Sequence, residues 1–412
     1  MLLKKIFYTV AILSAIRIGN FIPITGINQA YLYESLKGSS ILSLLNTFSQ
    51  GKQFILGIFS LGILPNINAS LLMQLFTSIF PGLKKLQKEE GENGRKKITE
   101  YTRYLTFLIA VYYSLLLTFF IKPFIFGFNT SKIIEISLIL TAGSIIIMWF
   151  SELITELGIG NGSSLIIFVN IISSLPDIFK TIVISNKSYV FLFLLINIVG
   201  IIFVQKSVKI IKIFNLKDLN DTGAENSSLL TREKDYQYGF IPFRLNQSGI
   251  FPIIFATTFL TLPINYLTNF SWAKAIISSN FGNFLYILIY FGIILIFNFF
   301  YSGLVVNTSE LGDELIKMGL VVCDSDVPNK VVRPGLQTSE YLLGITNRLA
   351  ILGGLFLAIV ATLPILIGYF NTDLSIFKNV GATSLIIFVS VAFDINRQIR
   401  SELLSEYYKT II

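Results

Sequence analysis

Long apolar runs, separated by polar connections, make up most of the chain. Each run is close to the length that an α-helix needs to cross a bilayer, about 20 mostly apolar residues. The ten predicted spans cover residues 4–24, 58–81, 104–122, 133–150, 163–181, 189–205, 245–264, 283–303, 341–364 and 380–396. The pattern therefore predicts an all-α, polytopic membrane protein whose ten helices form one membrane domain.

The second predicted span carries an unusual number of polar and helix-breaking residues. They are Pro65, Asn66, Asn68, Ser70 and Gln74. Lipid does not tolerate such side chains unless protein or water lies beside them. We therefore expect this helix to line a cavity inside a helix bundle.

Lysine and arginine are concentrated in alternate connections. The connection 82–103 alone contains seven of them. With a cytoplasmic N-terminus, the cytoplasmic connections and tails hold 22 Lys and Arg residues and the outer connections hold 8. Since positive residues accumulate on the cytoplasmic side of a span, both termini are predicted to be cytoplasmic.

Composition supports a membrane protein. Hydrophobic residues make up 53% of the chain and charged residues 14%, whereas about 25% charged residues is typical of soluble proteins. The net charge of +8 could indicate nucleic-acid binding. However, no basic stretch has the interleaved aromatic residues that stack on bases, and topology-setting loops explain the charge better.

Several kinds of chemistry are excluded by residue content. The chain has no histidine and a single cysteine, Cys323. Ser-His-Asp and Cys-His catalysis, histidine–metal ligation and an intrachain disulfide are therefore impossible. The glycine-rich segment Gly158–Ser164 lacks the Gly-Lys-Ser/Thr of a phosphate loop, so a tight turn between spans is favoured. The sequence predicts no enzyme and no cofactor.

Two connections on the predicted cytoplasmic side, 206–244 and 304–340, are long and polar. Long ordered loops usually bind something, although an unstructured segment is an equal alternative for residues 216–228 within the first of them. Within the other, the segment 310–319 predicts a helix, and 331–341 predicts a turn followed by a helix start.

An amphipathic segment lies in the first outer connection, at residues 39–51. Its apolar residues occupy one face of a short helix, at Ile41, Leu44, Leu45 and Phe48. A helix lying on the membrane surface and a re-entrant helix folded into a protein cavity both fit this pattern.

Seven motifs follow one another along the chain. They are RIGNFIPITGI (17–27), LGILPNINASLLMQLFTSIFP (61–81), ELITELGIGNGSSLIIF (152–168), LNQSGIFPIIFATTFLTLP (245–263), RPGLQT (333–338), TNRLAILGGLFLAIVATLP (346–364) and VGATSLIIF (380–388). In these motifs and in their order, the chain resembles the SecY family, the channel subunits of the general protein translocon, over nearly its whole length.

The resemblance implies two pseudo-symmetric halves of five helices, 1–185 and 186–412, around a central pore. It implies a ring of apolar side chains at the waist, formed by Ile63, Ile67, Ile167, Ile254 and Ile387, with Ser163 at the sixth ring position. A narrow apolar ring dewets and so blocks ions, yet it can deform around a passing chain. Ordinary packing within a helix bundle is the alternative for these isoleucines.

Other site residues are implied by the same resemblance. The segment 39–51, with Ile41, Leu44, Leu45 and Phe48, corresponds to a plug in the outer funnel. The second and seventh spans flank a lateral gate to the lipid, where Gln74 and Asn246 are polar candidates. Arg333 corresponds to a functional arginine that contacts the motor or the ribosome.

The resemblance also implies partners and a location. The expected partners are SecE-type and SecG-type small membrane subunits, unfolded preproteins and membrane lipid. The motor ATPase SecA is expected at the cytoplasmic loops, with the ribosome as a further candidate there. The connection 206–244 departs from the family because its tip is partly acidic. The absence of a transit peptide and an Ile-, Phe-, Lys- and Asn-rich composition predict a plastid-encoded protein of the thylakoid membrane, with a bacterial plasma membrane as the alternative.

A secondary transporter of small solutes is the alternative function. Such a protein would need ionisable or ion-coordinating groups near the middle of the membrane. The acidic candidates Glu152, Glu156 and Asp394 lie at predicted span ends instead. The sequence therefore favours a pore-forming subunit that passes unfolded proteins across the membrane and releases transmembrane segments sideways.

Overall fold

The computed structural model describes most of the chain. The described residues are 2–29, 31, 56–89, 91–127, 129–184, 188–215, 239–249, 251–267, 280–323, 331–332, 334–370 and 382–411. Their helices are α1 (Leu2–Asn20), α2 (Leu64–Ile79), α3 (Pro81–Glu89), α4 (Gly91–Ile121), α5 (Thr130–Leu157), α6 (Gly162–Ile184), α7 (Ser188–Lys206), α8 (Phe251–Leu267), α9 (Asn280–Val305), α10 (Thr308–Lys317), α11 (Leu336–Phe370) and α12 (Ala382–Ile411). Their strands are β1 (Val208–Asn215), β2 (Gly239–Arg244), β3 (Leu320–Cys323) and β4 (Val331–Val332).

Every predicted span coincides with a helix. The spans correspond in chain order to α1, α2, α4, α5, α6, α7, α8, α9, α11 and α12. Within the described part of the chain, four helical stretches are long and apolar enough to cross a membrane, namely Gly91–Phe119, Thr130–Leu157, Phe284–Lys317 and Leu336–Leu363. The membrane helices thus follow from the apolar runs, with ends that shift by several residues.

The connection predicted between the second and third spans is helical, which the apolar pattern did not show. It contains α3 and the first turns of α4, which begins at Gly91. Gly91 has a φ of 55°, a left-handed conformation that suits glycine between two helices. The basic residues of 82–103 therefore lie on helices rather than in an irregular loop.

A four-stranded antiparallel sheet forms from the two long polar connections. The strand order is β2-β1-β3-β4, and Ile211 of β1 lies opposite Ile241 of β2. The segment 216–228, for which an unstructured connection is the alternative, lies outside the described residues. The predicted helix at 310–319 is confirmed by α10, and the predicted turn and helix start by the turn at Pro334–Gly335 before α11.

The sheet has its own apolar core. One face of β1 and β2 buries alternate residues, as a half-buried strand requires. The cluster contains Ile211, Ile213, Phe243, Leu315, Val322, Leu342, Ile345 and Leu349. The sheet is therefore packed against α10 and the first turns of α11.

By their internal contacts the residues form two compact units, one of 1–194 with 367–412 and one of 195–366. In the first unit α12 packs against α6, and Lys5 of α1 forms an ion pair with Glu402 of α12 at 2.8 Å. In the second unit α8 packs against α9. The division into pseudo-symmetric halves at residues 185 and 186 stays a prediction.

Candidate functional site

Two of the predicted ring residues lie at the start of α2. The backbone N–H of Ile67 donates to the carbonyl of Ile63 at 3.1 Å, so the two side chains are one helical turn apart on the same face. Ile63 is fully buried and Ile67 is 4% exposed. Pro65 fits here because the first turn of a helix has no need of its missing N–H.

The turn before α2 is held by α5. Gly62 has a φ of 60°, and its carbonyl accepts a hydrogen bond from the hydroxyl of Ser144 at 3.4 Å. A Cβ on Gly143 would lie 2.1 Å from the carbonyl oxygen of Ile58, so only glycine permits this approach of α5. The turn that precedes Ile63 is therefore packed closely against α5.

The amide side chains of α2 are directed at α4. Asn68 is buried, and its Nδ2 donates to the Tyr113 hydroxyl at 3.0 Å. The hydroxyl of Thr106 donates to Oδ1 of Asn66 at 3.3 Å. Protein therefore lies beside these two amides, which join α2 to α4, and the expectation that α2 lines a cavity stays a prediction.

Ile167 of α6 and Ile387 of α12 lie beside a contact between their two helices. The adjacent residues Phe168 and Phe388 stack with ring centroids 5.1 Å apart and an interplanar angle of 11°. Ile387 is 8% exposed, and Ile167 is half-buried. The fold of the first unit thus brings together the surroundings of Ile167 and Ile387, which are 220 residues apart in the chain.

Ser163, at the sixth ring position, lies at the start of α6 and contacts the preceding helix α5. Its hydroxyl lies 3.0 Å from the hydroxyl of Ser151. The backbone N–H of Gly162 donates to the Thr155 hydroxyl at 2.9 Å, and a Cβ on Gly162 would lie 2.0 Å from the Ser151 carbonyl oxygen. The segment 158–161 is the tight turn that the sequence predicted, and serine at 163 binds the preceding helix.

Ile254 belongs to the second unit, where it is buried on α8. This helix packs on α9 through aromatic pairs. The rings of Phe251 and Tyr301 are 5.4 Å apart, and those of Phe255 and Phe297 are 4.9 Å apart. A five-residue constriction that includes Ile254 stays a prediction.

The two polar gate candidates have different environments. Gln74 is exposed on α2, whereas Asn246 is buried in the loop before α8. Nδ2 of Asn246 donates to the carbonyl of Gly249 at 3.1 Å, so this amide stabilises a turn in its own loop. A gate role for either residue stays a prediction. The plug residues Ile41, Leu44, Leu45 and Phe48, and Arg333, lie outside the described residues.

Sequence reasoning missed two polar contacts. Arg103 of α4 donates from Nε and Nη2 to the two carboxylate oxygens of Glu152 on α5, at 2.9 and 2.8 Å. Asn298 of α9 binds both the loop before α8 and the backbone of α11. No pattern in a single sequence pairs residues so far apart. Among the described residues, no group of acidic or cysteine side chains could hold a metal ion.

We expect the Arg103–Glu152 pair to stabilise the α4–α5 hairpin. Both side chains are partly exposed, at 49% and 25%, so solvent weakens the attraction. Arg103→Glu should lower the melting temperature of the detergent-solubilised protein by a few degrees, because two carboxylates then face each other. Adding Glu152→Arg should restore most of the loss. A double variant no more stable than Arg103→Glu would show that the pair contributes nothing specific.

Comparison with known proteins identifies the family. The family model described as SecY matches residues 57–396. The chain belongs to the SecY family. The protein translocase subunit SecY of Guillardia theta is 40% identical, over 99% of this chain and 96% of that protein. SecY of Porphyra purpurea is 40% identical over 99% and 98%, and SecY of Synechocystis is 38% identical over 99% and 93%.

Solved structures show the same fold. A structure described as a protein-conducting channel matches with a TM-score of 0.63 at 14% identity, over 98% of this chain and 94% of that one. Sec61 of the canine ribosome–channel complex matches with a TM-score of 0.60 at 16% identity, over 98% and 94%. The predicted fold class is thereby confirmed. Membership in the SecY family also confirms the prediction of a non-enzymatic translocase subunit, and nothing supports a small-solute transporter.

Proposed function

We propose that this chain is the pore-forming subunit of a Sec-type preprotein translocase. It passes unfolded proteins across the membrane and releases transmembrane segments through a lateral gate between α2 and α8. The observation that carries this proposal is the 40% identity to a protein translocase subunit over 99% of the chain. The placement of the predicted ring residues in helix contacts of each unit supports it.

The proposed closed pore is sealed by two devices. The ring of Ile63, Ile67, Ile167, Ile254 and Ile387 dewets the waist, and the segment 39–51 plugs the outer funnel. A solved structure of SecY, in which the plug domain is described as stabilising the closed state of that channel, matches this chain with a TM-score of 0.63 at 15% identity. That likeness in fold supports the proposal that residues 39–51 form a plug and not a helix on the membrane surface.

The proposed partners bind on two sides. SecE-type and SecG-type single-span subunits lie beside the membrane helices. SecA or a ribosome binds the sheet β1–β4 and the residues near Arg333 on the cytoplasmic side. Solved relatives of the same fold include Sec61 in a ribosome–channel complex and the idle yeast Ssh1 complex bound to the 80S ribosome. The lack of a nucleotide-binding motif fits a channel that is driven by a partner.

We place the protein in a thylakoid membrane, with both termini on the stromal side. The excess of Lys and Arg in alternate connections supports the orientation. The similar SecY proteins of Guillardia theta, Porphyra purpurea and the cyanobacterium Synechocystis fit a thylakoid membrane, with a bacterial plasma membrane as the alternative.

The proposal is tested by purification and transport. The full chain, isolated in mild detergent, should retain two small single-span proteins. Reconstituted with them in vesicles, it should protect a fluorescent preprotein from protease only when SecA and ATP are present. Protease protection that is independent of SecA and ATP, or uptake of a small solute driven by an ion gradient, would contradict the proposed function.

A further inference from the structure

The loop at 245–249, which connects β2 to α8, contains buried polar groups. Asn246 is 5% exposed and Ser248 is 1% exposed. Polar side chains buried at the edge of a membrane domain require partners, since lipid offers none. Asn246 satisfies its own turn through Gly249. The hydroxyl of Ser248 lies 3.4 Å from Oδ1 of Asn246 in the same loop, and it also has a partner on another helix.

Asn298 of α9 binds this loop and α11 at once. The hydroxyl of Ser248 donates to Oδ1 of Asn298, and Nδ2 of Asn298 donates to the carbonyl of Ala350 at 2.7 Å. Asn298 itself is 2% exposed. One side chain in the C-terminal third of α9 therefore connects the loop before α8 with the backbone of α11.

A second hydrogen bond, one turn further along α9, also joins this helix to the loop. The hydroxyl of Ser302 donates to Oε1 of Gln247 at 2.9 Å, and Ser302 is 1% exposed. Asn298 and Ser302 are four residues apart and share one face of the helix. Two successive residues of the loop are thus bound by two successive turns of α9.

Two glycines bring α11 close enough for these contacts. A Cβ on Gly353 would lie 2.3 Å from the carbonyl oxygen of Leu245, and a Cβ on Gly354 would lie 2.9 Å from Nδ2 of Asn298. A real Cβ does not approach backbone so closely, so glycine at 353 is required for this packing. Ala350, Gly353 and Gly354 lie at i, i+3 and i+4, on the side of α11 that receives the loop.

Among the described residues, these hydrogen bonds lie in the loop directly before the N-terminal end of α8. After them, the first two turns of α8 pack on α9 through the Phe251–Tyr301 and Phe255–Phe297 ring pairs. The N-terminal end of α8 is therefore joined to α9 and α11 by hydrogen bonds and aromatic contacts together. Hydrogen bonds between membrane helices are weak enough to be broken during function.

We propose that Asn298 is a positioning residue for gating, which holds the N-terminal end of α8 to α9 and α11 and thereby sets how apolar a signal segment must be to open the gate. This inference rests on the proposed function, because it takes α8 as a gate helix. With the anchor intact, α8 moves only together with α9 and α11. Without it, α8 separates more easily, and a less apolar segment suffices.

The test compares two preproteins that differ only in the signal segment, one leucine-rich and one with two leucines replaced by serine. Each is offered, with SecA and ATP, to vesicles that contain the full chain and its small subunits. Asn298→Leu removes both hydrogen bonds at similar side-chain volume. It should raise the transport rate of the weak-signal preprotein about tenfold and change that of the leucine-rich one less than about twofold. The ratio of the two rates distinguishes positioning of the gate from a general loss of stability.

Ser248→Ala is a milder second variant, since it leaves the bond from Asn298 to Ala350. It should raise the weak-signal rate about threefold. Thr362→Val is the matched control. Thr362 is a buried hydroxyl on the same helix as Ala350, but it donates to Ala358 of its own helix at 2.8 Å. It should leave both rates unchanged.

The outcomes separate this inference from the proposed function. If wild-type vesicles transport neither preprotein, the proposed function fails. If they transport both and the rate ratio in Asn298→Leu equals that of wild type, the anchor does not set the threshold. An equal fall in both rates would also overturn the inference, as would an unchanged ratio in Ser248→Ala where Asn298→Leu does not fold.

Discussion

Replacing Arg333 by glutamate should nearly abolish SecA-driven export while leaving the channel folded and inserted. Removing one charge of a pair that is buried at an interface commonly costs about 2–5 kcal/mol, and reversing it adds repulsion. We therefore expect the transport rate to fall more than tenfold, roughly, when SecA is limiting. The rate is measured by protease protection of a preprotein in reconstituted vesicles.

Arg333 itself lies outside the described residues, but the chain on both sides of it is held. Val332 pairs with Val322 in the sheet. Gly335 has a φ of 111°, which favours glycine, and its carbonyl accepts from the N–H of Ser339 at 3.0 Å at the start of α11. Residues on both sides of Arg333 therefore take part in backbone hydrogen bonding.

Lys317→Glu is the matched control for this prediction. Lys317 is an exposed cation at the end of α10, in the same connection between the eighth and ninth spans. Reversing a charge at the rim of an interface has a small effect, so its transport rate should change less than about twofold. Normal export by Arg333→Glu, or an equal loss of export in Lys317→Glu, would show that Arg333 acts only as part of the general surface charge.

The membrane helices were predictable because length and apolar content alone determine them. A run such as 133–150 can only be satisfied as a helix in lipid, whose interior offers no other hydrogen-bond partners. Helix ends were less predictable. Helix α4 begins at Gly91, well before the apolar run. Polar residues outside the membrane can form a helix as readily as a loop, so the apolar run does not mark the helix start.

The sheet was missed although its sequence carried a signal. Residues 208–215 are rich in β-branched side chains, which favour strands. Strand β1 is stabilised by pairing with β3, where Asn215 lies opposite Leu320, over a hundred residues later in the chain. Such long-range pairing cannot be assigned from local pattern alone, and the polar composition of the connection obscured it.

The burial of most ring isoleucines was predictable from the sequence, whereas the contacts of the polar side chains were not. The isoleucines of the ring were placed by resemblance, and four of them are buried. In contrast, Asn246 is predicted at the gate but forms a hydrogen bond within its own turn. Asn298 has no distinguishing sequence pattern, since it is one amide in an apolar run, yet it joins two helices. The role of a buried amide depends on which helix lies opposite, and a single sequence does not contain that information.

Polar substitution of the ring should make the resting channel leak. Ile63→Thr combined with Ile67→Thr keeps a β-branched shape and places two hydroxyls on the ring face of α2. Water then fills the waist, because dewetting depends on an unbroken apolar surface. We expect the resting ion conductance in planar bilayers to rise at least about tenfold, without a preprotein present.

Ordinary packing is the alternative for these two residues, which are 0% and 4% exposed. Ile147→Thr separates the two explanations. Ile147 lies on α5 in the same unit, is 1% exposed and has no place in the predicted ring. Its substitution carries the same cost of burying a hydroxyl, so both variants should lose similar thermal stability. Only the ring variant should conduct. Equal conductance in the two variants, or none in either, would assign Ile63 and Ile67 to the bundle core instead of the pore.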